Sequence, residues 1–304
     1  MSRVIVVGGA NTDLTVKASH LPRSGETVFG DEFAVSYGGK GANQALAALK
    51  AGAPVAFLAR IGTDTYGKRL YDHLVRSGLP PEGLVRDSDH PAGLALIALD
   101  REGNNQIIVV PGSNNRLNVE DLRSCEPLMR EGSLLLTQLE IPFPTVKHAL
   151  RLAKDHGMTT ILDPAPARSL PETIYGMVDI LTPNEIEAGS LTGIPVNTPS
   201  DAEKAASVLR SRGCASVIIT MGSQGALLSW AEGVRFFPAF HVVSIDTVAA
   251  GDAFNGALAA ALAEGRVLSE ALSFAMAAGA LSTTKRGAQE SLPTRKDIEG
   301  VLDG

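Results

Sequence analysis

The chain reads as an α/β protein with a doubly wound, mostly parallel sheet. Two observations lead there. Short runs rich in β-branched residues alternate along the chain with longer segments of helical period. Several of those runs are apolar on both faces, as strands covered by helices on either side must be. The 304 residues suffice for one large α/β domain or two small ones, without disulfides or metals to hold the core. No linker, low-complexity tract or internal repeat divides them, so residues 1–304 are expected to form one unit.

The elements follow in order. The first strand is expected over residues 4–7, Val-Ile-Val-Val. Small and apolar residues at helical spacing predict a helix over 42–51, then a strand over 55–61 and a helix over 66–77. Strands over 134–138, 159–162, 180–181 and 217–220 alternate with helices over 144–156 and 201–212. Thr198-Pro199-Ser200-Asp201 gives the second of these helices a capped start. Helices over 252–264 and 269–284 follow. Two stretches break the alternation. Residues 13–37 hold short extended pieces around Pro22, Gly25 and Gly30. Residues 93–111 read as a hairpin turning at Arg101-Glu102-Gly103-Asn104. Neither has a helix to cover it, so both are expected in a small β layer standing off the main sheet. That layer reads as a lid over a site, a dimerisation surface, both of these, or an ordinary edge hairpin.

Composition excludes several function classes. The formal net charge is -6 and Lys and Arg form no basic run, which argues against nucleic acid as a partner. Cys125 and Cys214 are isolated and lack ligand spacing, as in reduced thiols of a cytosolic protein. His148 and His156 fall eight apart on one expected helix, with no third metal ligand nearby. The apolar run at 4–7 is shorter than a signal-peptide core. Residues 249–263 are too short for a bilayer and contain Asp252 and Asn255. The chain is expected to be cytoplasmic, with no membrane partner.

The most informative segment is Asp-Thr-Val-Ala-Ala-Gly-Asp-Ala-Phe-Asn-Gly at 246–256. Ala249, Ala250 and Gly251 leave backbone N–H groups uncovered where a helix begins, which suits an anion. Asp252 at the same point would repel that anion unless it works on a neighbouring proton. The pair suggests phosphoryl transfer to a hydroxyl; an Asp in the first turn of a helix is the plain alternative. A second cluster, Gly38-Gly39-Lys40-Gly41-Ala42-Asn43, lacks the Walker A spacing, and Val7-Gly8-Gly9-Ala10-Asn11 lacks the dinucleotide fingerprint. Gly38–Gly41 lets a ligand approach the backbone, and Asn43 adds a donor and an acceptor. Asn11 and Asp13 follow the first strand, where such sheets bind ligands, although in isolation a turn after a strand accounts for them better. A carboxylate and two amides in one cleft suit a polyhydroxylated ligand.

Further polar residues recur after strands: Glu140, Asp163, Asn184 with Glu187, and Thr220. Each has a plain explanation as a cap or loop residue, but in this topology strand carboxyl ends form one rim. Asn184 and Glu187 share a helical face and suit a hydrated Mg²⁺ near phosphate. Gly222 and Gly225 would let an adenine or its phosphates lie against the backbone.

Three segments resemble signatures of the PfkB, or ribokinase-like, sugar kinases. Gly38–Gln44 is similar to their N-terminal signature, Asp246–Gly256 to their C-terminal one, and Thr182–Glu187 to their Asn-x-x-Glu motif. The resemblance runs in order through essentially the whole chain. It implies ATP-dependent phosphorylation of D-ribose at the 5-hydroxyl, with 2-deoxyribose, fructose or a nucleoside as other acceptors. It implies that Asp252 is the base and that the N–H groups of Ala249, Ala250, Gly251 and Asp252 hold the developing charge. It places Asn11, Asp13, Gly39, Lys40, Asn43 and Glu140 around the sugar. It gives Asn184, Thr220, Gly222, Ser223, Gly225, Gly251 and Met276 to ATP, and Glu187 to Mg²⁺ through water. It implies a K⁺ or other monovalent-cation site at Asp246, Val248, Ser282, Lys285, Gly287 and Ser291, largely through carbonyls. Met276 departs from the family pattern, which often has His there, so thioether packing would replace stacking on adenine. From the uncovered β layer a homodimer is expected, with one protomer's lid strands packed on the other's.

Overall fold

Alternate side chains of the first strand, β1 (Arg3–Val7), enter opposite cores: Val4 and Val6 one, Ile5 and Val7 the other. That two-sided burial is why the strand has no polar face. The computed structural model describes residues 2–303. After β1 come β2 (Asn11–Ala18), β3 (Gly30–Gly38), helix α1 (Lys40–Lys50), β4 (Val55–Gly62), α2 (Thr65–Arg76), β5 (Leu84–Asp87), β6 (Gly93–Leu99) and β7 (Asn105–Val110). The middle of the chain holds α3 (Val119–Ser124), α4 (Glu126–Arg130), β8 (Gly132–Thr137), α5 (Phe143–Asp155), β9 (Thr159–Leu162), β10 (Ile180–Leu181), α6 (Glu185–Thr192) and α7 (Pro199–Ser211). Then follow β11 (Ser216–Thr220), β12 (Gly225–Trp230), β13 (Gly233–Pro238), α8 (Ala250–Ala263), α9 (Leu268–Ser282) and α10 (Arg295–Leu302).

Nine strands form the main sheet in the order β13-β12-β11-β10-β9-β8-β1-β4-β5. Pairing is parallel from β11 through β5, and antiparallel for β12 and β13. The fold is therefore the doubly wound, mostly parallel α/β class expected. Helices α1, α8 and α9 pack with one core, α5 and α7 with the other. A separate four-stranded sheet has the order β3-β2-β6-β7, made from the two stretches that broke the alternation. Its β2–β6 pair is parallel, and the other two are antiparallel.

Several boundaries differ from expectation for local reasons. Helix α1 starts at Lys40, two residues early, because Gly39 (φ 86°) makes the turn into it and only glycine adopts that conformation freely. Strands β5, β12 and β13 were not expected. β5 has four residues, and β13 lies at an edge with most of its side chains exposed, so neither carries a long apolar run. Helix α7 has the capped start foreseen, and it is a capping box in which Thr198 and Asp201 exchange hydrogen bonds. Among the described residues no helix is long and apolar enough to cross a membrane.

Strand ends deliver the polar rim. Asn11 follows β1, Gln138 and Glu140 follow β8, Asp163 follows β9, and Asn184 lies beside Thr220 through a parallel bridge. Helices α1 and α8 meet closely above this rim. A Cβ at Gly256 would lie 2.5 Å from Ala47 Cβ and 2.6 Å from the Gln44 carbonyl oxygen. The backbones touch because that Cβ is missing. Gly256→Ala is expected to destabilise the protein by about 1–3 kcal/mol through overpacking. Chemical denaturation measures this, and an unchanged midpoint would contradict the close-contact account.

Candidate active site

Helix α8 begins without a side-chain cap. Its N-cap, Ala249, has φ 61°, and among the described residues no other non-glycine residue has positive φ. That left-handed turn costs about 1 kcal/mol or more for a residue with a Cβ. The Ala250 N–H donates to the Thr247 carbonyl at 3.2 Å. The expected cradle of four amides is thus reduced to three, since the turn itself uses the second. The N–H groups of Ala249, Gly251 and Asp252 donate to no group among the described residues. A helix start with free amides attracts anions.

Asp252 sits in the first turn of α8, buried to 5 % exposure. Both carboxylate oxygens accept amide hydrogens from α1. Asn43 Nδ2 donates to Oδ2 at 2.9 Å, and Gln44 Nε2 donates to Oδ1 at 3.0 Å. Gln44 also donates to Asp163 Oδ2 at 2.7 Å, and Gln289 Nε2 donates to Asn43 Oδ1 at 3.1 Å. The residues expected around the sugar adjoin this cluster. The Lys40 N–H donates to Glu140 Oε2 at 2.7 Å. Gly39 packs on Ala10 and the Asn11 amide, and Gly38 on the Asp13 carboxylate. Asn114 Nδ2 donates to Asn11 Oδ1 at 2.7 Å, so Asn11 keeps its own amide N–H groups for another partner.

On the other side of the α8 start lies a cavity of about 610 Å³. Asn184, Thr220, Gly222, Ser223, Gly225, Gly251 and Met276 all line it, the full set expected for ATP. Residues 239–247 contribute a wall that was not expected, including Phe240, His241 and Val242. Met276 is mostly buried in this wall, a thioether against the cavity. Asn184 caps α6: its Oδ1 accepts the Glu187 N–H at 2.8 Å, and Glu187 Oε2 accepts the Asn184 N–H at 2.9 Å. The plain capping role is therefore present, while the second Glu187 oxygen has no hydrogen-bond partner among the described residues.

The residues expected at a cation site frame one loop junction. Asp246 Oδ1 accepts the Val248 N–H and its Oδ2 accepts the Gly287 N–H, both at 3.0 Å. The carbonyl oxygens of Asp246, Val248, Lys285 and Gly287 accept no hydrogen bond among the described residues. The Ser282 and Ser291 hydroxyls donate to the Gly279 and Ala288 carbonyls at 2.8 Å, which leaves their oxygen lone pairs.

Sequence reasoning missed Gln44, Gln138, Asn114 and Gln289 as parts of this web. Gln44 lay within the signature segment 38–44 but was given no role of its own, and the signal for Gln138 was a polar residue after an otherwise apolar strand. For Asn114 and Gln289 there was none.

Burial crowds like charges here. Burial and then Glu290 push the Asp13 carboxyl up to about 6. Burial takes Glu140 to about 7 despite the Lys40 N–H and ammonium. Burial takes Asp163 to about 8, with Lys40 opposing and Glu187 and Asp252 adding to it. Burial alone would lower Lys40, but Asp252, Asp163, Glu140 and Glu187 outweigh it and hold the ammonium above its ordinary value. A carboxyl raised on folding holds its proton more tightly in the native state. Its stabilising effect is complete below the unfolded value near about pH 4 and is lost as pH rises through the folded value. The melting temperature of the ligand-free protein is therefore expected to fall between about pH 5.5 and pH 8.5, with Asp163→Asn flattening the upper part. Differential scanning calorimetry across that range tests it, and a rising curve would contradict it.

Residues 1–295 match the model of the pfkB family of carbohydrate kinases. The chain is 39% identical over 298 residues to a ribokinase of Haemophilus influenzae, covering 98% of this chain and 97% of that one. It resembles the crystal structure of a Thermotoga maritima ribokinase with a TM-score of 0.92 and 38% identity, over 100% of both chains. It resembles an Arabidopsis thaliana ribokinase complexed with ribose and ATP with a TM-score of 0.92 and 32% identity, over 100% of this chain and 99% of that one. With an acidic side chain and free amides meeting at one helix start, and full-length similarity to sugar kinases, the chain belongs to the pfkB family of carbohydrate kinases.

Proposed function

We propose that the chain transfers the γ-phosphoryl group of ATP to the 5-hydroxyl of D-ribose, giving ribose 5-phosphate and ADP. One observation carries the reading: the Asp252 carboxylate stands beside the unpaired N–H groups of Ala249, Gly251 and its own backbone. Asp252 takes the proton of the sugar hydroxyl while the hydroxyl oxygen forms the bond to the γ-phosphorus. The bond from phosphorus to the bridging β,γ-oxygen breaks, and ADP leaves. The free amides hold the charge on the transferred group. Lys40, kept charged by the surrounding carboxylates, adds a cation to the same space. Asn11, Asp13, Gly39, Asn43 and Glu140 bind the sugar, and an amide donor beside a carboxylate acceptor suits vicinal hydroxyls. ATP occupies the cavity lined by Asn184, Thr220, Gly222, Ser223, Gly225, Gly251 and Met276. Similarity to ribokinases, one of them complexed with ribose and ATP, supports this pair of substrates.

Two ions fit the donor sets. Mg²⁺ accompanies ATP and neutralises phosphate charge, and the free oxygen of Glu187 would hold one of its waters. K⁺ or another monovalent cation would stiffen the loop framing the amides, held by the unpaired carbonyls of Asp246, Val248, Lys285 and Gly287 together with Ser282 and Ser291. A carbonyl-rich set suits a large, weakly hydrated cation.

The four-stranded sheet is the proposed lid and dimer surface. Cross-strand register puts Asp13, Ser36, Ala95 and Val109 on one face. The opposite face carries Phe33, Val35, Leu96 and Ile108, with Phe33 and Ile108 each 65% exposed. A sheet with the sugar on one side and an uncovered apolar ladder on the other fits a second copy of the chain. Light scattering at micromolar concentration should give twice the chain mass, and a monomer would overturn the dimer.

The function is tested by sugar-dependent ADP release across a panel of sugars and nucleosides, with and without K⁺. Ribose is expected to exceed 2-deoxyribose. Asp252→Ala should lose about 10²–10⁴-fold in kcat while staying folded and binding ATP. A preference for the deoxy sugar would reassign the acceptor, and substantial activity in Asp252→Ala would refute the base. No sugar-dependent ADP from the unaltered protein would leave a sugar or nucleotide sensor in place of an enzyme.

A further inference from the structure

We propose that Gln44 is a positioning residue for the transfer: its amide, locked from behind by Asp163 and Gln138, sets the orientation of the Asp252 carboxylate. The inference rests on the kinase reading above. Gln44 lies on α1 and is fully buried, with 0% exposure. It therefore meets no ligand itself. A primary amide brings two N–H donors and a carbonyl. Here Nε2 faces two acceptors, Asp252 Oδ1 at 3.0 Å and Asp163 Oδ2 at 2.7 Å. Its Oε1 accepts from Gln138 Nε2 at 2.5 Å. Turning the amide over would set its oxygen against Asp252 Oδ1 and its nitrogen against Gln138 Nε2. One orientation survives.

The terminal torsion of an Asp side chain is broad, so a carboxylate held at one oxygen can pivot. Asn43 holds Oδ2 of Asp252 at 2.9 Å and itself borders the sugar side. Gln44 supplies the second hold, on Oδ1. With both oxygens bonded, each keeps a remaining lone pair, and the plane of the carboxylate is fixed for an incoming hydroxyl. Reaction geometry is sensitive to misplacement of this kind.

The rest of the web exists to keep that amide in place. Asp163 and Gln138 are buried, and Gln138 Oε1 has no hydrogen-bond partner among the described residues. Gln138 can lie there because Gly8 has no side chain: a Cβ at Gly8 would collide with Gln138 Oε1. Burying amides and a carboxyl costs free energy unless each is bonded. An apolar side chain would fill the same volume of α1 without that cost, so packing alone does not account for a glutamine here. Asp163 need only offer an acceptor oxygen, which an asparagine also offers.

The test measures kcat and KM for ribose and ATP by ADP release, with melting temperatures alongside. Gln44→Met keeps length and apolar contact but removes the amide. It should lower kcat about 10-fold or more, as expected of a misplaced base, with both KM values within about threefold of the unaltered protein. Asp163→Asn should keep kcat within about threefold because its carbonyl still accepts from Gln44, whereas Asp163→Leu should fall with Gln44→Met. That rescue by the conservative variant distinguishes orientation from mere stability, and the Asp163 pair decides the matter if Gln44→Met does not fold. A Gln44→Met enzyme with normal kcat, or an Asp163→Asn loss as deep as that of Asp163→Leu, overturns the proposal. An unaltered protein inert toward every sugar instead refutes the kinase reading, and the positioning role falls with it.

Discussion

The close crossing of α1 on α8 is the constraint on which the site depends. Gly256 and the alanines around it let the two helices approach until the Gln44 carbonyl and the α8 backbone are near contact. Only at that distance do Asn43 and Gln44, on one helix, reach Asp252 on the other. The same crossing sets the Gly-rich entry to α1 beside the uncapped start of α8. One helix start presents the groups proposed for the sugar, and the other presents the free amides. The proposed sugar and nucleotide sides thus meet at Gly251 and Asp252.

Electrostatics makes that boundary costly in the free protein. Asp163, Asp252, Glu140 and Glu187 all act on the single ammonium of Lys40. The number of acids exceeds the number of cations in a space where water screens poorly. Burial therefore pushes Asp13, Glu140 and Asp163 upward. Strain adds to the charge, because Ala249 turns through a left-handed conformation to free the amides. Sites that carry both features trade stability for chemistry.

Much of the fold was legible in the chain. The strands β1, β4 and β8 were visible because central parallel strands bury both faces and so lack polar alternation. The second sheet was visible for the opposite reason, as extended segments with no helix to follow. Edge strands escaped notice: β5 and β13 are short or exposed, and no hydrophobic run marks them. At the site, residues within compact clusters such as 38–43 and 246–252 could be named, since glycines beside Lys40 and Asn43, or beside Asp252, are a local signal. Asn114 and Gln289 could not. Their partners, Asn11 and Asn43, lie 103 and 246 residues away, and nothing in a local pattern encodes such a distance.

The sequence by itself determined the alternation of strand and helix, the two glycine-rich turns, and the presence of an acid beside bare amides. These follow from side-chain size, backbone freedom and hydrophobic period, all properties of neighbouring residues. Tertiary structure alone decided which amides stay free, since Ala250 spends its own on Thr247. It alone decided that two glutamines and a buried aspartate stand behind Asp252. Hydrogen bonds of that kind depend on how far apart two helices come to rest, and that distance is set by packing across the whole core.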